Sequence, residues 1–365
     1  MPDAPLRLRV DGGDYAGWKT VRVERSIEAI VGAFELSVSE RYPGQPQARP
    51  IRPGQSCEVW IGSERVISGY VDEVSVSFDA TTHSISVRGR DKALDLIDSA
   101  PDLSPGSWMK VTVLELARIL SEPFGVSVRA DAPVGLPFET VALTPGQKPW
   151  ELIEERCRYR QLLPISDGAG GIVLTRAGSA LSPVALVEGQ NMLSASGEFS
   201  HAERFRDYTV KGQSTGGDEI GAELSIFPSG KARDPEIKRH RPLLVVPTSS
   251  VDPERCQQRA SWEAIFRAAR GDRVSVVVQG WQQPNERLWP VNARAQLRSP
   301  TLGIDGELLI SSVTYLLDEQ GSRTELSLVR PDAFTPPPDA EPPEMGLGFA
   351  EIQDLAGVGD SFAGE

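Results

Sequence analysis

The chain has 365 residues, 34 Gly, 29 Pro and a net charge of −13, and single cores stop growing at roughly 250 to 300 residues, so two or three domains are expected. No run reaches the ~18 to 20 apolar residues of a membrane span, and Met1-Pro2-Asp3-Ala4-Pro5-Leu6-Arg7 lacks a signal peptide's apolar core, which predicts a soluble protein kept in the cytoplasm. Cys57, Cys157 and Cys256 are odd in number and far apart; they exclude a disulfide framework and a zinc site and are expected as small core residues.

Residues 5–98 read as a first β domain. Leu6-Arg7-Leu8-Arg9-Val10, Thr20-Val21-Arg22-Val23, Phe34-Glu35-Leu36-Ser37-Val38 and Cys57-Glu58-Val59-Trp60-Ile61 alternate apolar with polar residues, and Gly12-Gly13, Pro43-Gly44 and Pro53-Gly54 punctuate them. Short strands at this density suggest a small barrel or sandwich, because closure removes sticky edges. The domain ends in a hairpin: Gly69 to Asp79 alternates, a turn follows at Ala80-Thr81-Thr82-His83, and Ile85 to Asp91 returns.

Residues 99–180 form an α+β insertion. Thr112 caps a helix through Leu120 in which Leu116, Ile119 and Leu120 share a face, and Pro123 stops it. A second helix starts at Pro149 and runs to Tyr159, with Trp150, Ile153 and Cys157 on one stripe. Leu162-Leu163-Pro164-Ile165, a turn at 167–171 and Ile172-Val173-Leu174 make a hairpin.

Residues 181–334 return to strands as a second barrel-like domain. Asp207–Gly212, Val274–Val278, Asn292–Leu297 and a hairpin at 308–332 are expected to share its sheet, interrupted by one helix over 252–270 that Asp252 caps and Gly271 ends. Cys256, Ala260, Ala264 and Ala268 give that helix a smooth packing face. The two hairpins match in pattern, which points to a weak internal repeat and to two similar surfaces per chain; a trimer of such a chain offers six. From 335 a Pro-rich acidic tail follows: beyond Arg330 there are eight Asp or Glu and no Lys or Arg. Isolated Phe349, Ile352, Leu355 and Phe362 suit anchors on a partner, against the alternative of a disordered solvated tail.

No catalytic constellation can be assembled. His83, His201 and His240 have no metal-ligand spacing, Gly54-Gln55-Ser56-Cys57-Glu58 lacks the second Gly of a nucleophile elbow, and the pairs Asp72-Glu73 and Glu154-Glu155 point in different directions. No catalytic, cofactor-binding or metal-binding residue is assigned, and no cofactor. Lys231, Arg233, Lys238, Arg239 and Arg241 lie in a long irregular stretch without interleaved aromatics, which suits a docking loop for an acidic neighbour, or a merely solvated loop, better than nucleic-acid reading. Trp18, Trp60, Trp281 and Trp289 keep a carbohydrate-binding β module open as a second class.

Arg25-Ser26-Ile27-Glu28 with Gly32-Ala33-Phe34-Glu35-Leu36, Ile67-Ser68-Gly69-Tyr70-Val71-Asp72, His83 to Asp91, Pro149-Trp150-Glu151-Leu152-Ile153, Gln279-Gly280-Trp281 and Leu288-Trp289-Pro290-Val291-Asn292, taken in order, resemble the late tail, or baseplate hub, proteins of Mu-like contractile-tailed phages. The resemblance implies a ring-like homotrimer in which two β domains per chain adapt a six-fold tail tube to a three-fold central spike and form part of the channel for DNA ejection. Its implied partners are other copies of itself, the spike, the tube or tube-end protein and the surrounding wedge proteins, with DNA only in passage and no membrane insertion. Its implied location is the virion baseplate. Similar architecture occurs in T-even phage hubs and type VI secretion spikes, so a tail-like bacteriocin or secretion particle is the neighbouring reading. The family implies no catalytic residues.

Overall fold

The computed structural model describes residues 5–39, 51–79, 83–212, 228–247 and 252–338. Alternation sends every second side chain to one face of a strand, and the first alternating segments become β1 (Leu6–Val10), β2 (Gly13–Tyr15), β3 (Thr20–Ser26), β4 (Ala33–Ser39), β5 (Ser56–Ile61), β6 (Glu64–Phe78) and β7 (His83–Asp91). Leu8, Val23, Leu36, Val59, Ile67 and Val87 are the inward residues and are fully or almost fully buried in one core. β6 and β7 form the expected hairpin; residues 80–82 of its turn lie outside the described residues.

The insertion follows as α1 (Leu94–Asp98), β8 (Ser107–Val111), α2 (Val113–Ser121), β9 (Val128–Ala130), β10 (Phe138–Ala142), α3 (Pro149–Tyr159), β11 (Leu163–Ser166) and β12 (Ile172–Thr175). Thr112 begins α2 with a reciprocal cap: its hydroxyl accepts from the Glu115 amide at 3.2 Å while the Glu115 carboxylate accepts from the Thr112 amide at 2.8 Å. Leu116 and Leu120 are buried as expected, but Ile119 is 38 % exposed, because three residues fall about 60° short of a full turn and set it to the side of Leu116 away from buried Val113, Ala117 and Leu120. Leu152, Ile153 and Cys157 of α3 complete a core separate from the first.

The remaining elements are β13 (Leu186–Val187), β14 (Ser194–Phe199), β15 (Asp207–Lys211), β16 (Ser229–Arg233), β17 (Pro242–Val245), α4 (Pro253–Arg270), β18 (Asp272–Gln279), β19 (Arg294–Ser299), β20 (Ile304–Asp318) and β21 (Gly321–Val329). Asp207–Lys211 does not join the main sheet as expected; β15 is the centre of a separate three-stranded sheet, β16-β15-β17, under α4. The Cys256 and Ala260 face of α4 packs on it, and a Cβ on Gly230 of β16 would come within 2.2 Å of the Cys256 backbone, so only glycine permits that approach.

The two β domains are not two closed barrels. Their strands join in one hydrogen-bonded sheet of thirteen, whose order β14-β18-β21-β20-β3-β4-β7-β6-β5-β1-β2 has two ends, with β19 and β13 branching from β20. One edge of each unit, β3 in the first and β20 in the second, is paired by the other. Within this sheet the internal repeat is exact in strand order: β3-β4-β7-β6-β5-β1 is answered by β14-β18-β21-β20-β19-β13. Both hairpins have arms of 15 and 9 residues and both carry a bulge, between Val71 and Glu73 in one and Ile310 and Ser312 in the other. The units differ where β1 pairs β5 antiparallel but β13 pairs β19 parallel.

Gly89 of β7 shows how tightly the first unit is packed: a Cβ there would lie 2.3 Å from the Tyr70 carbonyl oxygen and 2.5 Å from the Phe34 ring. Gly89→Ala is expected to destabilise the chain by about 1–3 kcal/mol through overpacking, read as a lower urea midpoint with an unchanged slope.

Candidate assembly surfaces

The units meet at a seam where residues 21–26 of β3 run antiparallel to residues 312–317 of β20. Val21 lies opposite Leu317 and Val23 opposite Tyr315, and the ladder continues when the Ile27 amide donates to the Ser311 carbonyl at 2.9 Å. Tyr315 is 1 % exposed, and its hydroxyl donates to the Trp289 carbonyl at 3.2 Å. Burial holds that phenol well above its ordinary pKa. Trp281 Nε1 donates to the Leu316 carbonyl at 2.9 Å.

Among the described residues, β14 and β2 end the main sheet and β13 ends its branch. β14 pairs with β18, and the ladder of β6 with β5 reaches no further than Tyr70. β6 and β14 carry exposed apolar side chains: Val76 is 59 %, Phe78 78 % and Phe199 53 % exposed. Unpaired strand edges template the addition of another strand.

A third surface ties the insertion to the first unit. Asp91, at the end of β7, is fully buried; its carboxylate accepts from the Ser166 hydroxyl at 2.6 Å and from the Ala93 amide at 3.2 Å. Arg25 Nη2 donates to the Ser166 carbonyl at 3.4 Å. Desolvation raises the Asp91 pKa, and these hydrogen bonds and Arg25 only partly oppose it.

The basic stretch is part strand and part irregular: Lys238, Arg239 and Arg241 lie in the irregular connection between β16 and β17. Lys231 and Arg233 lie on β16, with the Arg233 guanidinium 3.6 Å from Asp207. Lys238 donates to the Pro235 carbonyl at 2.7 Å. Arg241 donates to the His201 carbonyl at 3.2 Å and stacks 4.8 Å over Phe205, while Lys231 and Arg239 are exposed. The backbone is ordered by a buried pair that sequence inspection missed: Arg204 Nε donates to Asp234 at 2.9 Å and its Nη2 to Glu236 at 2.5 Å. Phe349, Ile352, Leu355 and Phe362 lie outside the described residues. The tail departs beside α4, where Trp262 Nε1 donates to the Thr335 carbonyl at 2.7 Å.

The tryptophans do not form a glycan platform. Trp18, Trp281 and Trp289 are 7 %, 3 % and 4 % exposed, and half-buried Trp60 is engaged by Glu58 and lies beneath Arg65. All three cysteines are buried, and burial pushes the Cys57 thiol up to about 12. No His, Cys, Asp and Glu among the described residues cluster to hold a metal, and no helix among them is long and apolar enough to cross a membrane. The missed edge Ser194–Phe199 carries only a faint sequence signal, Ala195 and Phe199 at alternate positions around Gly197.

These surfaces sit on a fold shared with phage tail proteins. A 43 kDa tail protein of prophage MuSo2 from Shewanella oneidensis superposes with a TM-score of 0.81 at 34 % identity over 91 % of this chain and all of that one. A tail protein from Neisseria meningitidis MC58 has the same fold, with a TM-score of 0.73 at 23 % identity over 94 % of this chain and all of that one. Residues 5–91 match the N-terminal domain model of the Mu phage baseplate assembly protein GpP-like family, 93–176 the second domain of the baseplate hub protein gp44-like family and 252–337 the fourth domain of Mu phage GpP. The baseplate hub protein gp44 of Escherichia phage Mu is 33 % identical over 345 residues, 92 % of this chain and 90 % of that protein. The chain belongs to this family of baseplate hub proteins, structural components of the phage tail.

The Asp91 junction predicts a pH dependence of stability. Because the folded-state pKa is raised, the contribution of the protonated acid is fully present below the ordinary carboxylate range and is lost as pH rises through the elevated value. Asp91→Asn is expected to remove that slope in urea titrations at several pH values. Asp91→Ala is expected to lose about 1–3 kcal/mol by stranding the Ala93 amide and Ser166 hydroxyl.

Proposed function

We propose that the chain forms a ring-like homotrimer at the centre of a contractile-tail baseplate, joining the six-fold tail tube to the three-fold central spike. The observation that carries this is the repeated six-strand order with its matched bulged hairpins. Three copies of a chain with two like modules present six near-equivalent positions to a tube while keeping only three-fold identity for a spike. Closed cyclic assemblies arise from head-to-tail contacts of this kind.

The spike, the tube or tube-end protein and the wedge proteins are the proposed partners. The anchors Phe349, Ile352, Leu355 and Phe362 and the exposed cations of the 231–241 stretch are proposed contacts to neighbours in the baseplate. DNA crosses the ring in passage: phosphate neutralisation by Lys and Arg is what creates sequence-independent affinity, and a chain of net charge −13 offers little of it in bulk. Before assembly the protein is proposed to be soluble in the host cytoplasm, and it performs no catalysis.

Light scattering of the full chain and of a version ending at Pro338 tests the ring. The expected mass is three times that of the single chain in both, the full chain being 39.6 kDa. A single-chain mass in both at high concentration contradicts a ring that forms without partners.

A further inference from the structure

A cleft opens where the insertion, α4 and the turn at Pro331–Phe334 meet. Half-buried Trp150 of α3, Trp262 and Phe266 of α4 and Phe334 of the turn line it, over buried Ile27 and Ile30 of the connection between β3 and β4. The Trp262 and Phe266 rings are stacked with centroids 4.3 Å apart. Its volume is about 240 Å³, below the ~300–1,000 Å³ of small-molecule sites, which suits apolar side chains better than a whole ligand. An apolar cavity offers water too few hydrogen-bond partners, so a side chain that fills it gains burial and contacts that water does not supply. The carboxylates in its wall do not repel an acidic occupant. Glu154 is paired with Arg158 and Glu28 with Arg273, each at 3.3 Å, and the Arg270 guanidinium stands 5.4 Å over the Phe266 ring.

The chain itself arrives at this cleft. Thr335, Pro336 and Pro337 form part of its wall, tied to it by the hydrogen bond from Trp262 to the Thr335 carbonyl. Residues 339–365 follow, with Asp and Glu throughout, no Lys or Arg, and Phe349 as their first aromatic residue. We infer that Phe349 and Ile352 fill the cleft of their own chain before it meets its neighbours. The inference rests on the reading of these residues as anchors and adds what covers them in the free protein. Phe349 lies eleven residues beyond Pro338, a span of up to about 36 Å, so the cleft is within reach without rearrangement of the body. Closing a loop this short costs little more than closing a shorter one. The tether also holds the anchors at an effective concentration in the millimolar range, above what a second copy supplies in dilute solution. A neighbour that offers a better site takes the anchors and leaves the cleft open.

Photocross-linking in the full chain tests the contact. The photoreactive residue p-benzoylphenylalanine stands in place of Phe266 inside the cleft or, in a second variant, in place of exposed Arg270 at its rim. Irradiation is followed by a denaturing gel and by cleavage after Glu344 and Glu351, which separates 345–351 and 352–365 from the preceding residues that already touch the cleft. Both variants are expected to join the cleft to 345–351 or 352–365 with the mobility of a single chain. Adding Phe349→Asp with Ile352→Asp is expected to abolish that product while leaving the circular dichroism unchanged. A product that joins two chains puts a second copy's segment in the cleft and overturns the inference. Absence of both peptides from the products of both variants overturns it, as does a product that survives the double aspartate change undiminished. The anchor reading has a different readout, the loss of incorporation into tail particles by Phe349→Asp with Ile352→Asp, so its failure is distinguishable from failure of the cleft contact.

Discussion

The pairing of β3 with β20 is the contact on which the rest of the architecture depends. A strand edge presents a row of backbone donors and acceptors that must be paired, covered or left to water. By giving the edge of its first module to the second, the chain turns two small sheets into one and brings their inward side chains into a single continuous core. It also fixes how the modules are related, because the bulged hairpins present equivalent edges in the same direction. The joined sheet still ends at β14 and at β2.

The insertions respect this plan. The α+β unit enters after β7, and the β15–β17 sheet with α4 enters between β14 and β18, both at connections between strands, so neither breaks the repeated order. Each is pinned by a few short-range devices. Asp91 and Arg25 hold Ser166. Arg204 holds Asp234, and Gly230 lets α4 settle on its sheet. Buried charge of this kind costs desolvation and needs near-complete hydrogen bonding to persist, which places it where orientation matters more than raw stability.

Much of this was legible in the sequence because its causes are local. Thr112, Pro149 and Asp252 mark helix starts by the hydrogen bonds or backbone angles that they supply, and all three helices begin where those residues indicate. The hairpins were legible from alternation. The order of strands was not, since β3–β20 joins residues nearly three hundred apart and no local pattern encodes it. Strand β14 was missed because an edge with Ser194, Ser196 and Gly197 has almost no apolar signal, and the separate sheet around β15 was missed because alternation says that a strand exists but not which sheet receives it. The tryptophans misled for a related reason: residue type announces stacking capacity, and only the packing of Trp281 and Trp289 into the core shows that it is spent inside.

Membership of the baseplate hub family and the repeated strand order describe the same thing at two levels, a chain whose parts are alike enough to be placed in sequence around an axis. The most direct test is electron microscopy of the purified full chain viewed down the ring axis. The account predicts six near-equal lobes around a central opening, with three-fold symmetry and an approximate six-fold repeat. A closed two-fold dimer, or a three-fold ring whose modules alternate between strongly unequal environments, would contradict it.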